Sequence, residues 1–73
     1  MSLTDNQRRF LGAVAPQWTT LDTILRGLGR SNTPQHRAHA AGVMTDFIAA
    51  GLAEHREGTE QYRLTEAGAA AIA

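Results

Sequence analysis

The side chains in this sequence best suited to grip a polar partner are Gln35, Arg37, His39, Thr45, Arg56 and Arg63. A glutamine amide can pair with adenine at two positions, and a guanidinium suits a phosphate oxygen, so this set could contact a nucleic acid. Other reactive groups do not add up to a second chemistry. His36 and His39 lie close in the chain and His55 supplies a third imidazole. A zinc centre, however, converges three or four ligands, and on a helix His36 falls near the core edge while His39 points outward. No metal site is expected. There is no cysteine or lysine nucleophile, and Ser2 and Ser31 stand in a terminus and a turn without an adjacent base and orienting acid. No glycine-rich phosphate loop is present either. The reading is therefore of a protein that is not an enzyme and takes no cofactor.

Composition narrows the partners. The chain has 73 residues, with seven basic and seven acidic side chains and a formal net charge of zero. No global positive field draws it onto nucleic acid, so any such contact depends on local placement. All the basic residues are arginine, a feature read as genomic base composition. Absence of cysteine excludes a disulfide framework and fits a reducing compartment. The start Met1-Ser2-Leu3-Thr4 has no basic region followed by an apolar run, and no stretch approaches the roughly 18 apolar residues of a membrane helix. A soluble, cytoplasmic, single-domain protein spanning 1–73 is expected, without membrane contact. So short a chain leaves much apolar surface exposed, which favours a homodimer.

The elements that position these side chains follow from start and stop signals. Thr4-Asp5-Asn6-Gln7 is a capping-box pattern; Phe10, Leu11 and Val14 continue at helical spacing until Pro16, giving a first helix over about residues 5 to 15. Trp18 and Thr19 fit a very short strand. Thr20 caps a second helix with Leu21, Ile24, Leu25 and Leu28 on its apolar side, ended by Gly29. Thr33-Pro34 opens a third, expected over about 34 to 50, or 33–50 with its cap. Val43, Met44, Phe47 and Ile48 form its core stripe, Ala40 extends it, and Gly51 closes it with a positive backbone angle. Leu52 to Arg56 and Gln61 to Leu64 flank Glu57-Gly58-Thr59-Glu60 as a two-stranded hairpin over 52–64. Thr65-Glu66 starts a short last helix reaching Ala73. The lone Trp18 is expected as a core anchor beside the hairpin.

On a helical wheel of about 100° per residue, the stripe of the third helix leaves Gln35, Ala38, His39, Gly42, Thr45, Asp46 and Ala49 on the opposite side, with Arg37 on the flank. In the hairpin, Arg56 and Arg63 could hold phosphates, whereas Glu57 and Glu60 at the tip repel them; a solvated hairpin of balanced charge is the alternative. Arg8, Arg9, Arg26 and Arg30 are read as ordinary solvent-facing charge.

The order helix, helix, helix, hairpin, helix, with two particular segments, resembles the winged helix-turn-helix domains of MarR- and PadR-type bacterial regulators. The first segment is Phe47-Ile48-Ala49-Ala50-Gly51-Leu52-Ala53-Glu54-His55-Arg56, similar to a recognition helix end, its glycine cap and the first wing strand. The second is Tyr62-Arg63-Leu64-Thr65-Glu66-Ala67-Gly68, similar to the passage from the second wing strand into the next helix. Leu21 to Gly29 resembles the positioning helix. The stretch between Gly29 and Gly51 is several residues longer than usual, and the long dimerisation helices of MarR proteins are missing, so no dimer geometry is carried over.

The resemblance implies an α+β, mostly helical winged helix: a three-helix bundle, a two-stranded wing and a short C-terminal helix. It also implies a dimeric transcriptional regulator whose partner is double-stranded DNA. The N-terminal half of the third helix, with Gln35, would read base edges, while Arg37, Arg56 and Arg63 hold the backbone. A second reading stays open. Ala38, Gly42 and Ala49 offer little hydrogen bonding and suit close helix-to-helix approach, as in a protein-interaction module that reuses the fold.

Overall fold

Four threonines start the four helices. The computed structural model describes residues 2–73; Met1, the first residue of the segment read for a leader, lies outside the described residues. Thr4, Thr20, Thr33 and Thr65 each take an extended conformation and accept the backbone N–H three residues on, from Gln7, Thr23, His36 and Gly68. Each satisfies a donor that the helix itself cannot, worth about 1 kcal/mol. The capping box at Thr4 is complete, because Gln7 Oε1 accepts the Thr4 N–H at 2.9 Å.

These caps open α1 (Asp5–Gly12), α2 (Leu21–Gly27), α3 (Pro34–Ala49) and α4 (Glu66–Ile72). Helix α1 ends earlier than the expected residue 15. Ala13 and Val14 complete a tighter turn on Phe10 and Leu11, and the Ala15 carbonyl accepts from Leu64 N–H at 3.0 Å instead. That bond draws the chain towards a sheet before Pro16 is reached. Helices α2 and α3 both stop at glycines with positive φ, Gly29 at 71° and Gly51 at 77°. Beyond them Arg30 N–H reaches back to the Leu25 carbonyl and Leu52 N–H to that of Phe47, both at 2.9 Å. This is the left-handed helix stop that glycine makes cheap.

Three strands form one antiparallel sheet in the order β1-β3-β2: β1 (Thr19–Thr20), β2 (Ala53–His55) and β3 (Gln61–Leu64). The sequence led us to expect a two-stranded hairpin and, separately, a short strand at Trp18–Thr19. Instead β1 begins at Thr19 and joins the free edge of β3, pairing Thr19 with Tyr62 and Thr20 with Gln61. Leu21 N–H then bonds the Glu60 carbonyl at 3.0 Å, so the start of α2 extends the same ladder. The hairpin pairs Ala53 with Leu64 and His55 with Tyr62.

Phe10, Leu11, Val14, Leu21, Ile24, Leu25 and Leu28 from the first two helices meet Ala40, Met44 and Phe47 of α3. Leu52, Ala53, Tyr62 and Leu64 close this core from the sheet side. The expected stripe of α3 needs one correction. Ile48 is 37% exposed, because Ala40, Met44 and Phe47, at i, i+4 and i+7, already fill the core contact, while Val43 packs half-buried at its margin. Helix α4 lies directly on the chain reversal after α3. A Cβ at Gly68 would stand 1.8 Å from the Leu52 carbonyl oxygen, so only glycine fits that contact. Among the described residues no helix is long and apolar enough to cross a membrane.

Candidate nucleic-acid interface

The exposed side of α3 is the surface that the wheel anticipates. Gln35, Ala38, His39, Gly42, Thr45, Asp46 and Ala49 are all exposed. Gln35 sits in the first turn, after the Thr33 cap and Pro34. Thr45 turns its hydroxyl proton back onto the Ala41 carbonyl at 2.9 Å, which leaves its oxygen as an outward acceptor. Asp46 is the one charged group of the seven, and it is negative.

Arg37 is engaged within the chain. Its Nη1 meets the Asp22 carboxylate and, at 2.8 Å, the Asn32 side-chain oxygen, while its Nη2 meets the Glu60 carboxylate. Asn32 also donates to Asp22 at 3.1 Å. One guanidinium thus ties the starts of α2 and α3 to the turn end of the hairpin, where Glu60 precedes β3. The cluster carries two negative charges against one positive. Each pair is partly exposed and worth at most about 1 kcal/mol, but together they fix where the first turn of α3 stands relative to the sheet.

Arg56 and Arg63 are brought together by an aromatic side chain. Thr19 faces the core, so its neighbour Trp18 faces outward by the two-residue alternation of a strand, and it is half-buried. This corrects the expectation of a core anchor. One step beyond the Thr19–Tyr62 pair, Trp18 comes beside Arg63, whose guanidinium carbon stands 4.4 Å from the ring centroid. The Arg56 guanidinium stands 5.7 Å away. Arg63 also pairs with Glu54 across the hairpin, whereas Arg56 bonds Gln61 Oε1 at 3.3 Å and has no carboxylate partner among the described residues. Guanidinium over indole is a favourable contact of about 0.5–1 kcal/mol at an exposed site, and it orders two otherwise mobile side chains.

The hairpin turn is held locally. Gly58 has φ of 78°, and the Thr59 hydroxyl donates to the Arg56 carbonyl at 2.7 Å. Glu57 and Glu60 are exposed at this end. Burial, and next the nearby Glu60 charge, push the Tyr62 phenol above its ordinary value. His55 stacks on Tyr62 with 4.9 Å between centroids, and His36 is held by the connection before α3, its Nδ1 2.8 Å from the Ser31 carbonyl oxygen. The three imidazoles thus serve separate neighbourhoods. Among the described residues no three histidine or acidic side chains gather as a metal site would require.

The structure therefore sets Gln35, His39 and Thr45 along one exposed face, pairs Arg56 with Arg63 at Trp18, and commits Arg37 to the link between them. Sequence reasoning missed Trp18 and Asp22 as members of this surface, and it placed Glu60 at the hairpin tip without its pairing to Arg37. Strand alternation could have turned Trp18 outward once Thr19 was taken as buried. Nothing local signals the partners of Arg37, which lie 15 and 23 residues away. Comparison with protein-family models, with curated proteins and with solved structures finds no match to this chain.

Proposed function

We propose that this chain is a winged-helix DNA-binding domain of a small transcriptional regulator, acting as a dimer. The single observation that carries the reading is the outer face of α3, seven exposed residues along a 16-residue helix that no other element covers. Such a helix is about 24 Å long, and a helix of ordinary diameter enters a major groove about 12 Å wide. The element order, with β1 closing a sheet in the order β1-β3-β2, is compatible with a wing beside that helix. In this reading Gln35 reads a base edge, and His39 and Thr45 lie further along the groove. Arg56 and Arg63, aligned by Trp18, hold the backbone. Arg37 organises the surface by fixing the hairpin turn against α3.

A second reading, a winged-helix protein-interaction module, is favoured by one specific observation. Asp22 and Glu60 already neutralise Arg37, and Asp46 faces outward, so the α3 side lacks the free cations that phosphates demand. Gly42 adds to this: it is exposed in mid-helix with open space around it, which suits close approach by another helix.

Binding to random duplex DNA over a range of salt separates the two. On the DNA reading, affinity falls steeply with salt, and Arg56→Ala and Arg63→Ala each lower the slope by about one unit on all duplexes alike. Gln35→Ala instead abolishes preference for a selected site while keeping most non-specific affinity. Absence of binding to any duplex at low salt refutes the DNA reading and leaves protein docking.

A further inference from the structure

The clamp around Arg37 has a firm half and a releasable half. On Nη1, Asp22 acts together with the Asn32 side-chain oxygen at 2.8 Å, and Asn32 also donates to Asp22 at 3.1 Å. Asp22 stands in the first turn of α2 and Asn32 just before α3, so both belong to the helical body. On Nη2 stands Glu60 alone, from the turn end of the hairpin. Its carboxylate makes no other hydrogen bond among the described residues, and its side chain is 59% exposed. Its main chain is held separately, by the Leu21 N–H on the Glu60 carbonyl at 3.0 Å.

The firm half aims Nη2, and the releasable half fills the place it is aimed at. Carboxylate and phosphate oxygens are alternative acceptors for the same guanidinium edge. Arg37 follows Gln35 by two residues in the first turns of α3, where a duplex held by that face would bring a backbone phosphate. That phosphate meets a guanidinium already neutralised and a second carboxylate beside it, so the contact yields little.

We propose that Glu60 is an autoinhibitory residue, an intramolecular substitute for phosphate on Arg37 that lowers the affinity of the domain for every duplex alike. The proposal rests on the duplex-binding reading and names a control on that same surface. Because Glu60 belongs to the hairpin and Arg37 to α3, moving the hairpin turn away from α3 exposes a positive charge beside Gln35. Wing position and phosphate affinity are thereby coupled.

The test is binding of the full chain to a random-sequence duplex over a range of salt. Glu60→Gln keeps a neutral amide beside Arg37 and should bind at least about fivefold more tightly at low salt, the worth of one exposed ion pair. Its logarithmic salt dependence should steepen by about one unit. Glu57→Gln is the control, since it removes the same charge from the same turn, and Glu57 is exposed and in no ion pair among the described residues. It should change affinity by about twofold or less, because a distant exposed charge is screened. In an Arg37→Ala background the gain from Glu60→Gln should vanish. Circular dichroism checks that each variant keeps the fold, and Glu60→Ala repeats the measurement with a second side chain. Two results overturn the proposal while leaving the duplex reading in place: equal affinities for Glu60→Gln and Glu57→Gln, or a gain that persists without Arg37. Absence of binding by the wild type and by every variant at low salt is instead the failure of the duplex reading, and the proposal falls with it.

Discussion

Replacing Gly68 with alanine should destabilise the domain, although alanine is the better helix former. A Cβ there would stand 1.8 Å from the Leu52 carbonyl oxygen and 2.9 Å from its carbon, both backbone atoms that no side-chain rotation can move. Restoring ordinary contact requires α4 to retreat by more than 1 Å, judged from that 1.8 Å approach. Such a retreat loosens the Thr65 N–H bond to the Leu52 carbonyl at 3.2 Å and the Thr65 hydroxyl bond to the Gly51 carbonyl at 2.6 Å. Overpacking costs about 1–3 kcal/mol, the two bonds about 1 kcal/mol each if lost, and the gain in helix propensity returns about 1 kcal/mol. The net is a loss of about 2 kcal/mol or more, against a total of about 4–11 kcal/mol for a chain of this length. Tm should then fall by about 10 °C, read by far-ultraviolet circular dichroism. Gly42→Ala is the internal control: it is also helical, but its Cβ meets nothing within 4 Å. It should gain about 1 kcal/mol and raise Tm by about 4–8 °C. A Gly68→Ala protein melting at or above the wild type would refute the packing of α4 on Leu52.

Three further outcomes follow from the same geometry. Gly51→Val places a β-branched residue at φ of 77° and should cost more than about 1 kcal/mol in chemical denaturation, with an unchanged midpoint counting against the left-handed stop of α3. Burial holds the Tyr62 phenol above its ordinary pKa of 10.0, so its contribution to stability is fully present below about pH 10 and is lost as pH rises through the folded value. It is the only tyrosine, so phenolate absorbance should titrate late, and Tyr62→Phe should flatten the alkaline loss of stability. Arg37→Ala should lower the salt slope of any duplex binding by clearly less than one unit, because its guanidinium is already engaged by Asp22 and Glu60; a full unit lost, as for a free phosphate contact, would refute that role.

What the sequence reveals here is what is local. The four threonine caps and the two glycine stops each involve residues within a turn of one another, so they can be read directly from the chain. The exposed side of α3 is legible because helical spacing alone defines it. Ile48 was misassigned for a related reason: a wheel gives direction, but it does not give the width of the groove that α2 leaves to be filled. The true end of α1 depends on a bond from Leu64 to Ala15, and the third strand on pairing residues 19 and 62; both are set by distant chain. The candidate surface divides in the same way. Gln35, His39 and Thr45 share a helix and were placed together, whereas the company of Arg37 and of Trp18 is created by tertiary pairing.

The outward position of Trp18 has a spectroscopic consequence. It is the only tryptophan in the chain, and it precedes the shortest strand, at the sheet edge closed by the most distant pairing in sequence. Pairings of this range carry a larger loop-closure cost than local contacts do. Intrinsic fluorescence of this protein therefore reports the docking of one edge strand under two guanidinium groups, and the helical core is silent in it. If β1 detaches before the helices melt, fluorescence and circular dichroism will trace different transitions, and their separation measures how much of the stability belongs to the sheet edge.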